Sequence, residues 1–352
     1  MTELPPTLVV GCGLIGTSVA LALTEQGIAV HLRDRDADHL RQAVERGAGT
    51  PEPVHDPALV VVAVPPAATA ATVREALAEW PGAVVTDVAS TKAGILAALA
   101  GDPGTDRYVG SHPMAGSERS GPLAASGRLF EGRPWVVTPV AAAADAAVRL
   151  VEEVAVMLGA VPIVMDAAAH DRAVALVSHV PQVVASLAAA RLVGAPPAHL
   201  ALAGQGLRDV TRVAGSDPAL WRDILLTNAR EVGTVLRDVR DDLDALIASL
   251  GDGDDGGVAA VLDAGRSGHG RIPGKHGGDP VDLVTVHVQV PDTPGALSRL
   301  FAHVGESGVN IEDLRIDHEL GRPVGLVEIA VAAADADPLV AHLSAHDWSA
   351  YR

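Results

Sequence analysis

A single cysteine, Cys12, stands in a chain of 352 residues. That excludes an internal disulfide framework and any zinc site built on cysteine. Aromatic residues make up only 2% against 48% hydrophobic, so the apolar mass is mostly Ala, Val and Leu and the few tryptophans stand out. Positive charge is scarce as well: 26 Lys plus Arg face 44 Asp plus Glu, a formal net charge of −18. This balance excludes a surface made to grip phosphate backbones and leaves room only for a local anion pocket. The N-terminus MTELPPTLVV has an acid and two prolines where a secretory signal would place basic residues before an apolar run. The run from Ala173 to Ala190 carries no formal charge and is long enough to suggest a membrane span. Its Ser178, His179, Pro181, Gln182 and Ser186 make a buried helix the better reading. A soluble, cytoplasmic protein with neither membrane nor nucleic-acid partner is expected.

What is present is alternation. Short β-branched runs at Leu8–Val10, Ala29–Asp34, Leu59–Pro65, Ala83–Val88, Tyr108–Pro113 and Pro134–Pro139 alternate with helical patterns, which predicts a parallel sheet wrapped by helices. From Asp166 strand signals vanish, and Ala- and Leu-rich helical patterns run to about Leu250, broken at Gly194–Pro197 and Gly215–Pro218. Residues 251–280 hold 10 glycines and read as a linker that cannot bury enough apolar surface to order itself, with at most a short helix near Val258–Ala264. A last unit of strand, helix, strand, strand, helix follows from Leu283, in ferredoxin-like order. The expected architecture is α/β: a Rossmann-type doubly wound domain over 1–165, an all-helical domain for substrate and dimerisation over 166–250, a Gly-rich linker over 251–281 and a small α+β domain over 282–352.

Gly11-Cys12-Gly13-Leu14-Ile15-Gly16 fits G-x-G-x-x-G between a predicted strand and helix. The first glycine permits the turn, the second lets the backbone approach a pyrophosphate, and the third allows close helix–strand packing. Asp34 closes the second strand at the distance where a carboxylate accepts both adenosine-ribose hydroxyls and repels a 2′-phosphate. NAD is therefore the expected cofactor, although Arg33 and Arg35 flank Asp34 and leave NADP open. Cys12, inside the loop, reads as a small space-filling residue.

Four short segments then concentrate polar groups where such a fold binds its substrate: Asp87-Val88-Ala89-Ser90-Thr91-Lys92, Gly110-Ser111-His112-Pro113-Met114-Ala115-Gly116-Ser117-Glu118, Val177-Ser178-His179-Val180-Pro181-Gln182, and Thr211-Arg212 followed by Leu220-Trp221-Arg222-Asp223. With these segments in place the chain resembles the prephenate/arogenate dehydrogenase family of tyrosine biosynthesis. The resemblance extends to PDTPGALSRL and GVNIEDLRI in the last unit, which are similar to an ACT domain.

His112 ends a predicted strand and is held extended by Pro113. A neutral imidazole suits removal of a hydroxyl proton as hydride leaves the same carbon, and the resemblance assigns it to the substrate ring hydroxyl. Ser90, just past a strand end, either donates to substrate or nicotinamide or caps a helix starting near Thr91. Lys92 and Asp87 read as a local pair. The resemblance implies that Ser117 and Glu118 contact or gate the substrate side chain, and that Trp221 walls the site. Arg212 suits a carboxylate because of its planar fork; the bland reading is surface pairing with Asp209, and the family's Thr-Arg pattern favours the ligand role. His170 and Asp171 form a pair at the start of the helical domain. His179 lies half a helical rotation from His170, so the two face apart unless Pro181 or a partner helix intervenes, and His179 is expected just behind the layer that touches substrate. The family often has a second histidine three residues after His179; here that position is Gln182, which can hydrogen-bond substrate but carries no charge.

The implied reaction is NAD-dependent oxidative decarboxylation of prephenate to 4-hydroxyphenylpyruvate, with no metal required. Alternatives are an arogenate dehydrogenase and, in a different class, a non-catalytic NAD-linked amino-acid sensor. A β-hydroxyacid dehydrogenase, which needs a lysine in its helical half, is excluded because none occurs between Lys92 and Lys275. The long apolar helices suggest a homodimer. In the ACT-like unit, the turn Asp292-Thr293-Pro294-Gly295 leaves backbone N–H groups exposed at a helix N-terminus, suited to an amino-acid carboxylate. Asn310 could reach that ligand from a partner copy. Tyrosine, the end product, is the expected effector; a domain that only dimerises is the competing reading.

Overall fold

The computed structural model describes residues 6–116, 119–272, 282–318 and 324–352. They form two compact units, Met1–Arg240 and Asp241–Arg352.

In the first unit, seven strands make one sheet in the order β2-β1-β3-β4-β5-β6-β7. They are β1 (Thr7–Val10), β2 (Val30–Arg33), β3 (Leu59–Val62), β4 (Val84–Asp87), β5 (Tyr108–Pro113), β6 (Pro134–Pro139) and β7 (Val161–Val164). Strands β1 to β5 run parallel. Strand β6 is antiparallel to β5 and β7 is parallel to β6, so the all-parallel expectation holds only for the first five. The seventh strand was not expected: Pro162 interrupts its pattern and most of the strand is exposed at the sheet edge.

Helices α1 (Leu14–Glu25), α2 (Ala37–Glu45), α3 (Pro66–Glu79), α4 (Ala93–Ala98) and α5 (Asp145–Met157) wrap this sheet. The period-2 alternation of strands divides the core. Val9, Val61, Val109 and Val137 pack on one face with side chains of α1 and α5. Leu8, Val60, Val62, Val85 and Tyr108 pack on the other with Val73, Leu77 and Ile95 of α3 and α4. Both faces are covered, as a doubly wound sheet requires. The direction of strand succession reverses between β1 and β3, and in such sheets ligands bind outside the strand carboxyl ends at that switch point. The loops after β1, β3, β4 and β5 all open at that edge.

Beyond the sheet come α6 (Ala167–Val174), a π turn (Ala175–His179), α7 (Val180–Ala190), α8 (Pro197–Leu200), α9 (Gln205–Thr211), α10 (Pro218–Thr227) and α11 (Ala229–Asp252), the last containing the boundary between units. Pro197 and Pro218 sit in the first turns of α8 and α10, and Asp217 caps α10 through Ala219 N–H at 2.8 Å. The continuous helix Ala167–Ala190 is long and apolar enough to cross a membrane. Its buried side mixes polar residues with apolar ones: His170, Asp171, His179 and Gln182, like Val174, Ala175, Val180 and Ala185, are 5% exposed or less. The expectation of a wholly buried helix needs correction, because Leu176, Val177 and Leu187 lie 60% or more exposed on its other side.

In the second unit, α12 (Asp255–His269) occupies much of the expected linker. It exceeds the short helix foreseen there. Asp255 in its first turn and Arg266 and His269 in its last complement the helix dipole, which offsets the cost of its glycines. After it, β8 (Leu283–Pro291), α13 (Ala296–Glu306), β9 (Asp313–His318), β10 (Val324–Ala332), α14 (Ala336–Ala345) and β11 (Ser349–Tyr351) form an antiparallel sheet of order β11-β8-β10-β9. This is the ferredoxin-like arrangement, completed by β11. Val286, Val288, Val327, Ile329 and Val331 of the sheet pack with Leu300, Val304, Leu339 and Leu343 of the two helices.

Candidate active site

The glycine loop closes on the switch point. Gly11 has φ +105°, and a Cβ there would stand 2.3 Å from the Ala63 carbonyl oxygen after β3. A Cβ on Gly16 would meet the Gly11 carbonyl oxygen at 1.9 Å. Both glycines are demanded by packing. Gly13 is different: a Cβ there would meet nothing within 4 Å, and as the N-cap of α1 it makes no side-chain cap bond. The N–H groups of Leu14 and Ile15 thus begin an uncapped helix over open space, the form of an anion site. Asp34 accepts from the backbone N–H of Cys12 and, at 2.8 Å, of Asp36, which ties its carboxylate to the loop. Arg33 turns away, making a bidentate pair with Glu79 at 2.8 and 2.9 Å and lying over the Trp80 ring. The Cys12 thiol is buried and pushed up to about 12 by burial and by Asp34, so it is held as the unreactive thiol.

At the carboxyl end of β5, His112 heads a chain of three side chains. Its Nδ1 lies 2.9 Å from His170 Nε2, and His170 Nδ1 lies 2.8 Å from Asp171 Oδ1. A carboxylate only accepts, so His170 donates from Nδ1 and accepts at Nε2, and His112 donates from Nδ1. The lone pair of His112 is thereby placed on Nε2. Burial, then the His170, Lys92 and His179 charges, hold the His112 pKa well below its usual 6.5, so the ring is a neutral base at physiological pH. Asp171 also accepts the backbone N–H groups of Lys92 and Ala93 at 2.8 Å each. Burial raises its pKa, but the His170 bond and these amides outweigh that and leave it lowered. This carboxylate caps α4 from another helix. The capping role considered for Ser90 therefore falls to Asp171, and α4 begins at Ala93, later than expected.

Beneath His112 lies a fully buried ion pair. Lys92 Nζ contacts Asp87 Oδ1 and donates to the Ser111 carbonyl at 2.7 Å. Asp87 also accepts from Ala89 N–H at 2.8 Å and from the Tyr108 hydroxyl at 2.7 Å. Burial lowers the Lys92 pKa, opposed by Asp87. Such a pair is tolerable only when its remaining hydrogen-bonding capacity is filled, as here. It pins the residue before His112 and the turn leading to the half-buried Ser90.

The π turn brings His179 into the same neighbourhood. Nine residues along a regular α-helix would set His179 about 180° from His170; the extra residue of an i→i+5 turn cuts this to about 80°. The π turn does this, neither Pro181 nor a partner helix. Buried Asn228 lies 2.8 Å from the Asp171 carbonyl and 3.2 Å from His179 Nδ1, donating to both. Burial, opposed by Asp171 and aided by His170, pushes the His179 pKa down to about 4. Trp221 meets His179 edge to face at 6.1 Å between centroids. Next to it, α7, α10 and the turn after α9 enclose a groove of about 510 Å³, lined by residues including Gln182, Ser186, Ser216 and Trp221.

Arg212 is exposed at the end of α9, in the turn Arg212–Gly215 that packs on α7. Ala214 and Ser216 nearby line the groove. Ser117 and Glu118 lie outside the described residues. In the second unit Gly295 has φ +84° and opens the uncapped start of α13, Asp292 is exposed, and Asn310 donates to Glu312 at 2.6 Å. Sequence reasoning assigned no site role to His170, Asp171, Asn228 or Tyr108. The adjacent His-Asp pair was the one visible signal among them.

Comparison with known proteins agrees with this layout. A family model described as prephenate dehydrogenase, nucleotide-binding domain, matches residues 19–164, and one described as prephenate dehydrogenase, dimerization domain, matches 166–264. A probable prephenate dehydrogenase, NovF, of Streptomyces niveus is 38% identical over 97% of this chain and 98% of its own. The prephenate dehydrogenase of Bacillus subtilis is 28% identical over 93% of this chain and 92% of its own. Among solved structures, a prephenate dehydrogenase from A. aeolicus in complex with hydroxyphenyl propionate and NAD+ superposes with TM-score 0.69 at 26% identity, over 76% of this chain and 97% of that one.

Proposed function

Because the chain belongs to the prephenate dehydrogenase family, we propose that it oxidatively decarboxylates prephenate to 4-hydroxyphenylpyruvate. The observation that carries this reading is the Asp171–His170–His112 chain, which ends in a basic Nε2 on the strand edge shared with the glycine loop. NAD+, when bound, supplies the acceptor for the hydride that leaves ring C4. The uncapped N-terminus of α1 and open space at Gly13 suit its pyrophosphate, and Asp34 suits its ribose hydroxyls. Arg33 is engaged by Glu79, and the Asp34 carboxylate repels a 2′-phosphate, which favours NAD over NADP.

His112 Nε2 takes the ring hydroxyl proton as the C4–O bond gains carbonyl character. His170 holds the ring in that tautomer, and the Asp171 carboxylate favours the positive charge that develops along the pair. The ring carboxylate leaves as CO2, its bonding electrons complete the aromatic ring, and the C4 oxygen recovers a proton from His112. Ser90 donates to the hydroxyl or the nicotinamide amide. Arg212 takes a substrate carboxylate, Gln182 and Trp221 line the side-chain end with His179 behind them, and Ser117 and Glu118 gate it. The exposed apolar residues of the Ala167–Ala190 helix become the contact with a second copy, giving a cytoplasmic homodimer. Residues 1–165 hold cofactor, 166–250 hold substrate and partner, 251–281 connect, and 282–352 form an ACT domain with tyrosine at Asp292, Gly295 and a partner's Asn310.

The deciding experiment is steady-state NADH or NADPH production from prephenate and from arogenate, each with NAD and NADP. Turnover of prephenate with NAD is expected to dominate, and no turnover of either substrate would reject the enzyme reading. Arg212→Ala should chiefly raise KM for substrate; an unchanged KM would return Arg212 to surface pairing. Adding tyrosine should change the rate or the melting temperature, and neither changing would leave the last domain as a dimerisation module.

A further inference from the structure

The two helices of the C-terminal unit carry a histidine cluster that the proposed reaction does not use. Below it, Leu300 and Val304 of α13 and Leu339 and Leu343 of α14 are buried in the core. Above that seam, His303 and Glu306 stand one turn apart on α13, and His342 and His346 one turn apart at the end of α14. The His303 and His346 rings are 4.3 Å apart between centroids, and those of His342 and His346 are 4.5 Å apart. His346 Nε2 lies 3.9 Å from Glu306 Oε2. One nitrogen from each of His303 and His346 and one Glu306 oxygen all lie within 4.8 Å of one another.

We propose that His303, Glu306 and His346 form a binding site for a divalent transition metal of the zinc class. Two imidazoles and one carboxylate are the donors such ions select, whereas magnesium and calcium prefer all-oxygen shells. Donors about 2.0–2.1 Å from a tetrahedral ion are about 3.4 Å apart. The cluster therefore needs closure of about an ångström, which partly exposed side chains accommodate by rotation.

The tautomers support the assignment. His346 Nδ1 lies 2.9 Å from the His342 carbonyl, so it donates there and keeps its Nε2 lone pair beside Glu306. Metal-binding histidines characteristically donate their other ring N–H to a carbonyl or carboxylate in this way. Packed against His346, the His342 ring holds a buried Nε2 with no hydrogen-bond partner, a rare state for a buried nitrogen. His303 Nδ1 accepts from the Trp348 indole N–H at 2.8 Å. An ion that takes His303 Nε2 moves the ring proton to Nδ1, and one that takes Nδ1 displaces the indole. Either way Trp348 loses its partner, so the site carries its own reporter. The ion would tie α13 to the end of α14.

The test is titration of the full chain with zinc chloride by calorimetry, comparing wild type with Glu306→Gln and His346→Gln. The expected result is one saturable zinc per chain, at least tenfold weaker in each variant, and no saturable binding of magnesium chloride. Glu306 is largely exposed, so its variant tests the site without disturbing packing. Nickel chloride should quench part of the tryptophan emission, and Trp348→Phe should remove that part. The dehydrogenase rate should be the same in all variants. Zinc affinity within threefold of wild type in both ligand variants, no zinc binding at all, or quenching that survives Trp348→Phe would each overturn the proposal.

Discussion

Both units gather histidines on helices, but the two clusters differ in how far water reaches them. In the first unit His170 and His179 are 1% exposed or less. His112 Nδ1 and both His170 nitrogens form a chain that ends on Asp171, and His179 Nδ1 is held by Asn228. In the second unit His303 and His346 are partly exposed beside a Glu306 side chain 59% exposed. Burial makes the imidazole proton expensive, so His112 and His179 are held neutral, and the Asp171 carboxylate orients the His170–His112 pair while Asn228 orients His179. Exposure leaves the second set able to rotate and gather around a ligand. In the two proposals the same residue type is an oriented base in one place and a ligand donor in the other.

The sharpest way to break the first cluster is His112→Asn. It should lower kcat by on the order of 10²–10⁴-fold with cofactor affinity nearly unchanged; activity kept within tenfold would remove His112 as the base. Next in size is Lys92→Met, which leaves Asp87 buried without its counter-ion and should cost about 3–5 kcal/mol of stability. Urea unfolding of the first unit, followed by far-ultraviolet dichroism, checks this. A loss under 1 kcal/mol would mean that water reaches the pair.

The pH dependence of stability separates the clusters further. His179 titrates near 6.5 when unfolded and at about 4 when folded. Between these values the unfolded chain binds more protons, so stability is full above about pH 6.5 and falls as pH drops toward 4. The loss is on the order of 3 kcal/mol. Melting curves from pH 7 to 4 should show this slope, and His179→Asn should flatten it, with the lowered pKa of His112 accounting for part of what remains. The smallest expected effect is that of Asp171→Asn. Losing the acceptor that sets the His170 tautomer should lower kcat by about 10- to 100-fold, the range seen for partners that orient metal-ligating histidines, with KM little changed. A rise in KM alone would instead make Asp171 a binding residue.

Much of the frame could be read from local pattern. Strands Tyr108–Pro113 and Pro134–Pro139 fall where their β-branched runs and bounding prolines place them, and Gly11 and Gly16 stand where packing leaves no room for a Cβ. These features depend on a few neighbouring residues, so a linear reading reaches them. The reversal at β6, the edge strand with Pro162 and the π turn depend on what packs against them. The relay and the cap on α4 were missed for the same reason: His170 meets His112 across 58 positions and Asp171 reaches Lys92 and Ala93 across 79 and 78, distances at which no periodicity operates.

By itself, then, the sequence determined the alternating α/β plan, the glycine loop with its acid, the strand that delivers His112 and the order of the last unit. Each rests on period, turn chemistry or steric exclusion within a short window. Tertiary structure alone decided which nitrogen of His112 is basic, that Asp171 caps α4, that Lys92 is buried with Asp87, and that His303, Glu306 and His346 meet. Proton position and charge burial depend on partners that only the folded chain brings within 3 or 4 Å.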